Sequence, residues 1–169
     1  MKDTELVKDI KVENVEELES LFGRAYWIES EFEQSFQWQA YTALSEEYRD
    51  IVFRLSHDSE GHKAVLTDII QNLNDVSMDR IKENQKQRDF QFKSNWQDSE
   101  IFTEILKYEF LVKDIYKRIK NHTSEELIKD IWDGKNLDEF FLTMKYLIEQ
   151  EDKHVNLIKP HAGNIKRIR

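Results

Sequence analysis

Hydrophobic residues recur along most of the chain at alternating steps of three and four positions. This spacing is typical of an α-helix that buries one face. One such stretch covers residues 14–42. A second covers residues 46–73, after a short break at Leu44 and Ser45, where Ser45 is placed to cap the second helix. We predict that these two helices form a hairpin that folds back near residue 44.

The second half of the chain repeats this arrangement. The same spacing of apolar residues predicts a third long helix over residues 98–121. A capping box at Thr123 opens a short helix, a second capping box at Asn136 opens the last long helix, and Pro160 ends it. Residues 98–158 are therefore predicted to form a second helical hairpin.

Residues 74–97, between the two hairpins, are polar and highly charged. Such a stretch can travel the length of a helix, since an extended chain covers roughly 3.3 Å per residue. We predict that it is a crossover between the hairpins 14–73 and 98–158, and that residues 159–169 form a tail. The expected fold is all-α: a single domain over residues 1–169, built as an antiparallel four-helix bundle with a short helix before the last long one.

The composition favours this prediction and narrows the function. The chain has 169 residues with only one Pro and four Gly, which suits long helices. The absence of Cys excludes disulfides and thiolate ligands. A net charge of −9 argues against a general nucleic-acid binder. No apolar stretch approaches the ~20 residues of a membrane span, and the N-terminus has no apolar signal core, so we expect a cytoplasmic protein without a membrane partner.

Polar residues interrupt the apolar face of each long helix. A buried carboxylate without a partner is costly, so these positions need an explanation, and a shared metal ion is one. On the last helix a carboxylate and an imidazole occupy consecutive steps of the apolar face in a Glu-x-x-His pair. The residues on the four faces are Glu29, then Ser59 with His62, then Glu109, then Glu151 with His154.

This pattern resembles the ferritin-like superfamily of di-iron carboxylate proteins, and the rubrerythrin branch more than classical ferritin. That family takes a Glu from each of two helices and a Glu-x-x-His motif from each of the other two. The resemblance implies that Glu29 and Glu109 are terminal or bridging carboxylates, that Glu151 bridges two metal ions, and that His62 and His154 each cap one metal.

The resemblance also implies a function. We expect two iron ions per chain, or manganese in their place, that react with oxygen or peroxide as in a ferroxidase or peroxidase. Rubrerythrins carry a rubredoxin domain with four Cys, which this chain lacks. The electron donor is therefore expected to be a separate protein. A homodimer is expected because ferritin-like bundles commonly self-associate.

Ser59 departs from the family pattern. The first Glu-x-x-His motif reads Ser59-Glu60-Gly61-His62, so one bridging carboxylate is missing. Asp58 lies one turn before His62 but off the apolar face, and it replaces the carboxylate only if the backbone or its rotamer adjusts. Gly61 inside a helix indicates a local irregularity that would re-aim these side chains.

Several alternatives remain open at this level. Loss of one carboxylate allows a single metal ion per chain, or a metal-free helical bundle that acts as an interaction module. Cage-forming iron storage needs many subunits, and no cage interface is apparent. On the predicted helices, tyrosines are interpreted as packing residues, with hydrogen bonding to a metal ligand as the alternative: Tyr26, Tyr108, Tyr116 and Tyr146. The remaining histidines are expected to be exposed: His57, His122 and His161.

Overall fold

A computed structural model describes residues 11–32, 37–85 and 95–163 of the chain, and in these ranges the protein is all-helical, as predicted. Short 3₁₀ turns at Glu46–Tyr48 and Lys159–His161 lie at the ends of long helices. The described residues form seven α-helices: α1 (Val15–Glu31), α2 (Gln37–Ala43), α3 (Arg49–Gln71), α4 (Met78–Glu83), α5 (Asp98–His122), α6 (Glu125–Ile131) and α7 (Leu137–Ile158).

Side-chain caps explain where several helices begin. The Asn14 side chain accepts a hydrogen bond from the backbone N–H of Glu17, and Asn136 does the same for Glu139, as its position in the sequence predicts. The predicted cap at Thr123 is wrong, because Ser124 is the residue whose side chain caps α6. Thr123 instead pairs through its backbone with Val12, which leads into α1.

The predicted break between the first two helices differs in one detail from the structure. Residues 14–42 were expected as one helix; α1 and α2 both lie within this span, and residues 33–36 between them lie outside the described ranges. Ser45 does not cap the next helix with its side chain, since its hydroxyl and its backbone N–H both donate to the carboxylate of Asp98 at the start of α5. Gly61 lies within uninterrupted α-helix, so the predicted irregularity is absent there.

The four long helices α1, α3, α5 and α7 bury their apolar faces in one hydrophobic core. Its largest fully buried side chains include Phe22, Phe102, Tyr116 and Phe140. Helices α5 and α7 run antiparallel: near the start of α5, Thr103 Oγ1 accepts from the N–H of Gly163, which follows α7, and further along Lys113 pairs with Asp152. The helical faces predicted from the sequence therefore meet inside the protein.

The crossover between the hairpins contains α4, and its residues 86–94 lie outside the described ranges. Helix α4 is attached to α1 through Glu19, whose carboxylate accepts from the Arg80 guanidinium at 2.9 Å and from the backbone N–H of Ser77 at 2.8 Å. Ile81 of α4 is buried in the core. None of the described helices is long and apolar enough to cross a membrane.

Candidate metal centre

Five side chains that can ligate a metal converge in the core from the four long helices. All five are buried to an extent that is rare for ionisable groups, with 1–3% of their surface exposed: Glu29, His62, Glu109, Glu151 and His154. They come from α1, α3, α5 and, for the last two, α7. These are the same five residues that the sequence pattern singles out.

Glu151 lies between the two imidazoles, and each of its oxygens faces one of them. Its Oε1 is 2.9 Å from Nδ1 of His62, and its Oε2 is 3.4 Å from Nδ1 of His154. Each imidazole also contacts a second carboxylate through the same nitrogen, at 3.3 Å from Glu29 Oε1 for His62 and 3.3 Å from Glu109 Oε2 for His154. The cluster thus consists of two similar halves that share Glu151.

The spacing of these groups suits metal coordination. Ligand atoms of His62, Glu151 and His154 lie within 4.8 Å of one another. The two imidazole rings have centroids 5.3 Å apart and are inclined by 30°. Because Glu151 and His154 are three residues apart on α7, helical geometry places both on the face that meets α3.

Asp58 does not take the position of the missing bridging carboxylate, for which the sequence made it a possible substitute. In the structure its Oδ2 lies 3.1 Å from Nε2 of His154, the ring nitrogen opposite the one that faces Glu151. Asp58 is also 4.0 Å from Arg54. A carboxylate on the outer nitrogen of a ligating histidine fixes the tautomer that leaves the inner nitrogen free to bind metal.

Tyr116 is a member of the cluster that the sequence interpretation treated as a packing residue. Its hydroxyl donates a hydrogen bond of 2.7 Å to Glu29 Oε1, and the residue is fully buried. Tyr116 lies on the same face of α5 as Glu109, two helical turns further on, which is the sequence signal for its position. Which carboxylate it reaches depends on how α1 packs against α5.

Several buried oxygens of the cluster lack a hydrogen-bond partner among the described residues. They are Glu109 Oε1 and Glu151 Oε1, the last of which approaches His62 off the direction of a hydrogen bond, and Ser59 Oγ, one helical turn before His62, also has no partner there. A buried polar atom without a partner costs free energy, and such atoms are few in native proteins. Carboxylate oxygens of this kind fit a cation as the missing partner.

The pKa values of the cluster residues follow from their burial and from their contacts with one another. Burial would lower the pKa of both imidazoles, but their contacts with the carboxylates outweigh it and raise the pKa of His62 to about 10 and that of His154 to about 11. Burial and the charge of Glu151 raise the pKa of Glu29 and of Glu109. Burial would also raise the pKa of Glu151, yet its contacts with Glu109, His154 and His62 lower it.

The donor set fits iron or manganese. Three carboxylates and two imidazoles supply hard oxygen ligands with one nitrogen for each half, a mixture that divalent iron and manganese accept. The chain has no Cys that would favour a softer metal. Metal binding would displace the protons held by the imidazoles, because only the neutral ring is a ligand.

The other histidines lie away from this cluster. His57 is exposed as predicted. His122 and His161 are half-buried, in contrast to the prediction. The ring centroid of His161 lies 5.3 Å from that of Tyr48 and 5.4 Å from that of Phe102. These rings line a cavity of about 490 Å³ beside the first turn of α5. The cavity therefore lies apart from the Glu and His cluster.

The comparisons with known proteins add no family to this description. The resemblance to ferritin-like proteins therefore rests on the residue pattern of the sequence alone. No protein-family model matches the chain, and neither a curated protein nor a solved structure matches it significantly.

Proposed function

We propose that this protein is a ferritin-like carboxylate bundle that binds two iron or manganese ions between α1, α3, α5 and α7. The observation that carries the proposal is the position of Glu151, whose two oxygens each face one imidazole within a cluster of buried carboxylates. One ion would be held by Glu29, His62 and Glu151, and the other by Glu109, His154 and Glu151.

The protein side chains around the ligands have defined roles in this proposal. Tyr116 holds the Glu29 carboxylate in place through its 2.7 Å hydrogen bond. Asp58 accepts a hydrogen bond from Nε2–H of His154 and so keeps Nδ1 available to a metal. The apolar core around the cluster keeps bulk water out, which strengthens the electrostatic interactions of the ligands. Bound iron would supply electron transfer to oxygen or peroxide, with a separate protein as electron donor.

A second candidate is a metal-free bundle that acts as an interaction module. The observation in its favour is that the imidazoles and carboxylates already contact one another at 2.9–3.4 Å. Two protonated imidazoles beside ionised Glu151 would form a self-contained network of buried ion pairs. In that case the cluster would contribute to the specificity of packing and would have no catalytic role.

Elemental analysis of the full chain separates the two candidates. The protein is purified without chelator, and metal is quantified per chain by mass spectrometry before and after anaerobic loading with ferrous ion. The double variant Glu151→Ala, His154→Ala should lose the metal. Glu149→Gln, an exposed carboxylate on the same helix, is the matched control and should keep it.

The outcomes are distinct. Close to two ions per chain supports the proposal, and ferrous ion in the loaded protein should then be oxidised by oxygen or peroxide, which optical absorption follows. Close to one ion would restrict the centre to a mononuclear site. No metal after ferrous loading would overturn the proposal and leave the metal-free network. A melting temperature unaffected by chelator would point the same way, because a bound metal stabilises the fold by linkage.

A further inference from the structure

We propose that the position beside Ser59 binds a small exogenous monocarboxylate, of the class of formate or acetate, which bridges the two metal ions in place of a protein carboxylate. The inference rests on the proposed metal centre. It assigns to Ser59 the role of a hydrogen-bond donor to this ligand, and it makes the affinity for the second metal ion depend on the ligand.

The register of α3 and α7 indicates where the ligand belongs. Ser59 precedes His62 by three residues, as Glu151 precedes His154. Nδ1 of His62 and Nδ1 of His154 both face Glu151, so α3 and α7 direct their imidazoles towards the same carboxylate. On α7 the third-residue position supplies a bridging carboxylate, and on α3 the short Ser side chain leaves that carboxylate to be supplied from outside.

The hydroxyl of Ser59 is available for such a ligand. Ser59 is 1% exposed, and its Oγ has no hydrogen-bond partner within the part of the chain that the structure describes. A serine hydroxyl can donate one hydrogen bond to a carboxylate oxygen. Leaving this buried group unpaired costs free energy that a bound ligand would recover.

The charge of the cluster favours a monoanion. Glu29, Glu109 and Glu151 carry three negative charges when ionised, whereas two divalent ions carry four positive charges. Asp58 lies outside this set, on the far nitrogen of His154 and near Arg54. An uncompensated charge in a buried site is unfavourable, so the pair of ions needs one further negative charge. A monocarboxylate supplies that charge and two oxygens, one for each ion.

The test is a manganese titration of the chelator-treated full chain, followed by the electron paramagnetic resonance of free Mn²⁺. It is carried out in formate and in chloride at equal ionic strength. We expect formate to strengthen binding of the second ion at least about tenfold, because ligand and metal stabilise each other's binding. Infrared spectra with isotopically labelled formate should show a bound carboxylate in the manganese-loaded protein only.

Variants at Ser59 sharpen the test. Ser59→Glu should bind two ions without formate and show no bound formate in the infrared spectrum. Ser59→Asp provides a shorter carboxylate if the Glu variant does not fold. Ser59→Ala should keep the first ion and lose part of the gain from formate. Glu60→Gln, at the exposed neighbouring position, is the control and should behave as the unchanged protein.

The results distinguish failure of this inference from failure of the metal centre. Two ions bound equally well in formate and chloride would overturn the inference and leave the centre intact. Formate bound as strongly by Ser59→Glu would also overturn it. The inference also fails if Ser59→Glu binds two ions while the unchanged protein does not bind the second ion even in formate. If no variant binds manganese or ferrous ion, both proposals fail.

Discussion

Each half of the buried cluster contains one imidazole, but the helices that carry the two imidazoles supply different neighbouring groups. Helix α7 supplies both His154 and Glu151, which contacts both imidazoles. Helix α3 supplies His62 and, where α7 has its carboxylate, the unpaired hydroxyl of Ser59. Helix α3 also supplies Asp58, which contacts His154 from the other half. The comparison indicates that α7 carries the central carboxylate, whereas α3 supplies one imidazole and contacts the other through Asp58.

The largest effect should follow from Glu151→Gln. This change removes the one charge that both imidazoles share, so we expect loss of both metal ions. We also expect the free energy of unfolding of the metal-free protein to fall by roughly 3–5 kcal/mol, as for a broken buried ion pair. Metal content per chain and urea denaturation measure the two effects. Ser59→Ala removes only an unpaired hydroxyl. If it lowered the free energy of unfolding as much as Glu151→Gln does, the difference between the two helices would be contradicted.

Tyr116→Phe removes the hydrogen bond that holds the carboxylate of Glu29 beside His62. Loss of a hydrogen bond to a charged group should lower the free energy of unfolding by about 1.5–3 kcal/mol. It should also raise the pKa of Glu29 further, since the hydroxyl favours the ionised carboxylate. Chemical denaturation and metal titration provide the readouts. Tyr146→Phe, at a partly exposed position on α7, is the control and should change neither.

Asp58→Asn tests whether α3 positions a ligand of α7. Loss of a carboxylate on the outer nitrogen of a metal-binding histidine typically weakens metal affinity roughly 10–100-fold. The weakening should be confined to the ion bound by His154, so one step of a metal titration should shift and the other should stay. Glu60→Gln is the exposed control on the same helix. Equal weakening of both steps would contradict the assignment of Asp58 to one half.

The metal-free protein should become less stable as the pH rises above neutrality. The folded protein holds the pKa of His62 at about 10 and that of His154 at about 11, above the unfolded value near 6.5. The stability that these protonated rings contribute is fully present below pH 6.5 and is lost as the pH rises through about 10 for His62 and about 11 for His154. Denaturation of chelated protein across this range should show a shallower decline in His62→Gln. An unchanged decline would mean that His62 does not hold its proton in the fold.

The smallest effect should come from Gly61→Ala, which tests whether α3 needs flexibility beside Ser59. Gly61 is exposed within continuous α-helix, and an added Cβ would have no heavy atom within 4 Å. We expect the melting temperature to rise, with a gain of up to about 1 kcal/mol in the free energy of unfolding. Metal stoichiometry should stay the same. A loss of metal would show that the helix must deform at this position.

The sequence predicted the helical elements and the five clustered residues well, and its errors were local. Apolar spacing places His62 and Glu109 on buried faces because the period of a helix is fixed by backbone geometry. The cap at Thr123 was predicted wrongly, since Ser124 caps α6. Several polar residues near a helix start can serve as the cap, and tertiary contacts such as that of Val12 with Thr123 determine which one does.

The spacing of residues along the chain suffices to show that the protein is helical and that each long helix carries polar residues on its apolar face. Which of these residues meet depends on how the helices pack: Tyr116 contacts Glu29, Asp58 contacts His154, and each oxygen of Glu151 faces one imidazole. The physical reason is that residues within a helix are related by a fixed local geometry. Contacts between helices depend on their axial shift, rotation and side-chain rotamers, which packing of the whole core determines.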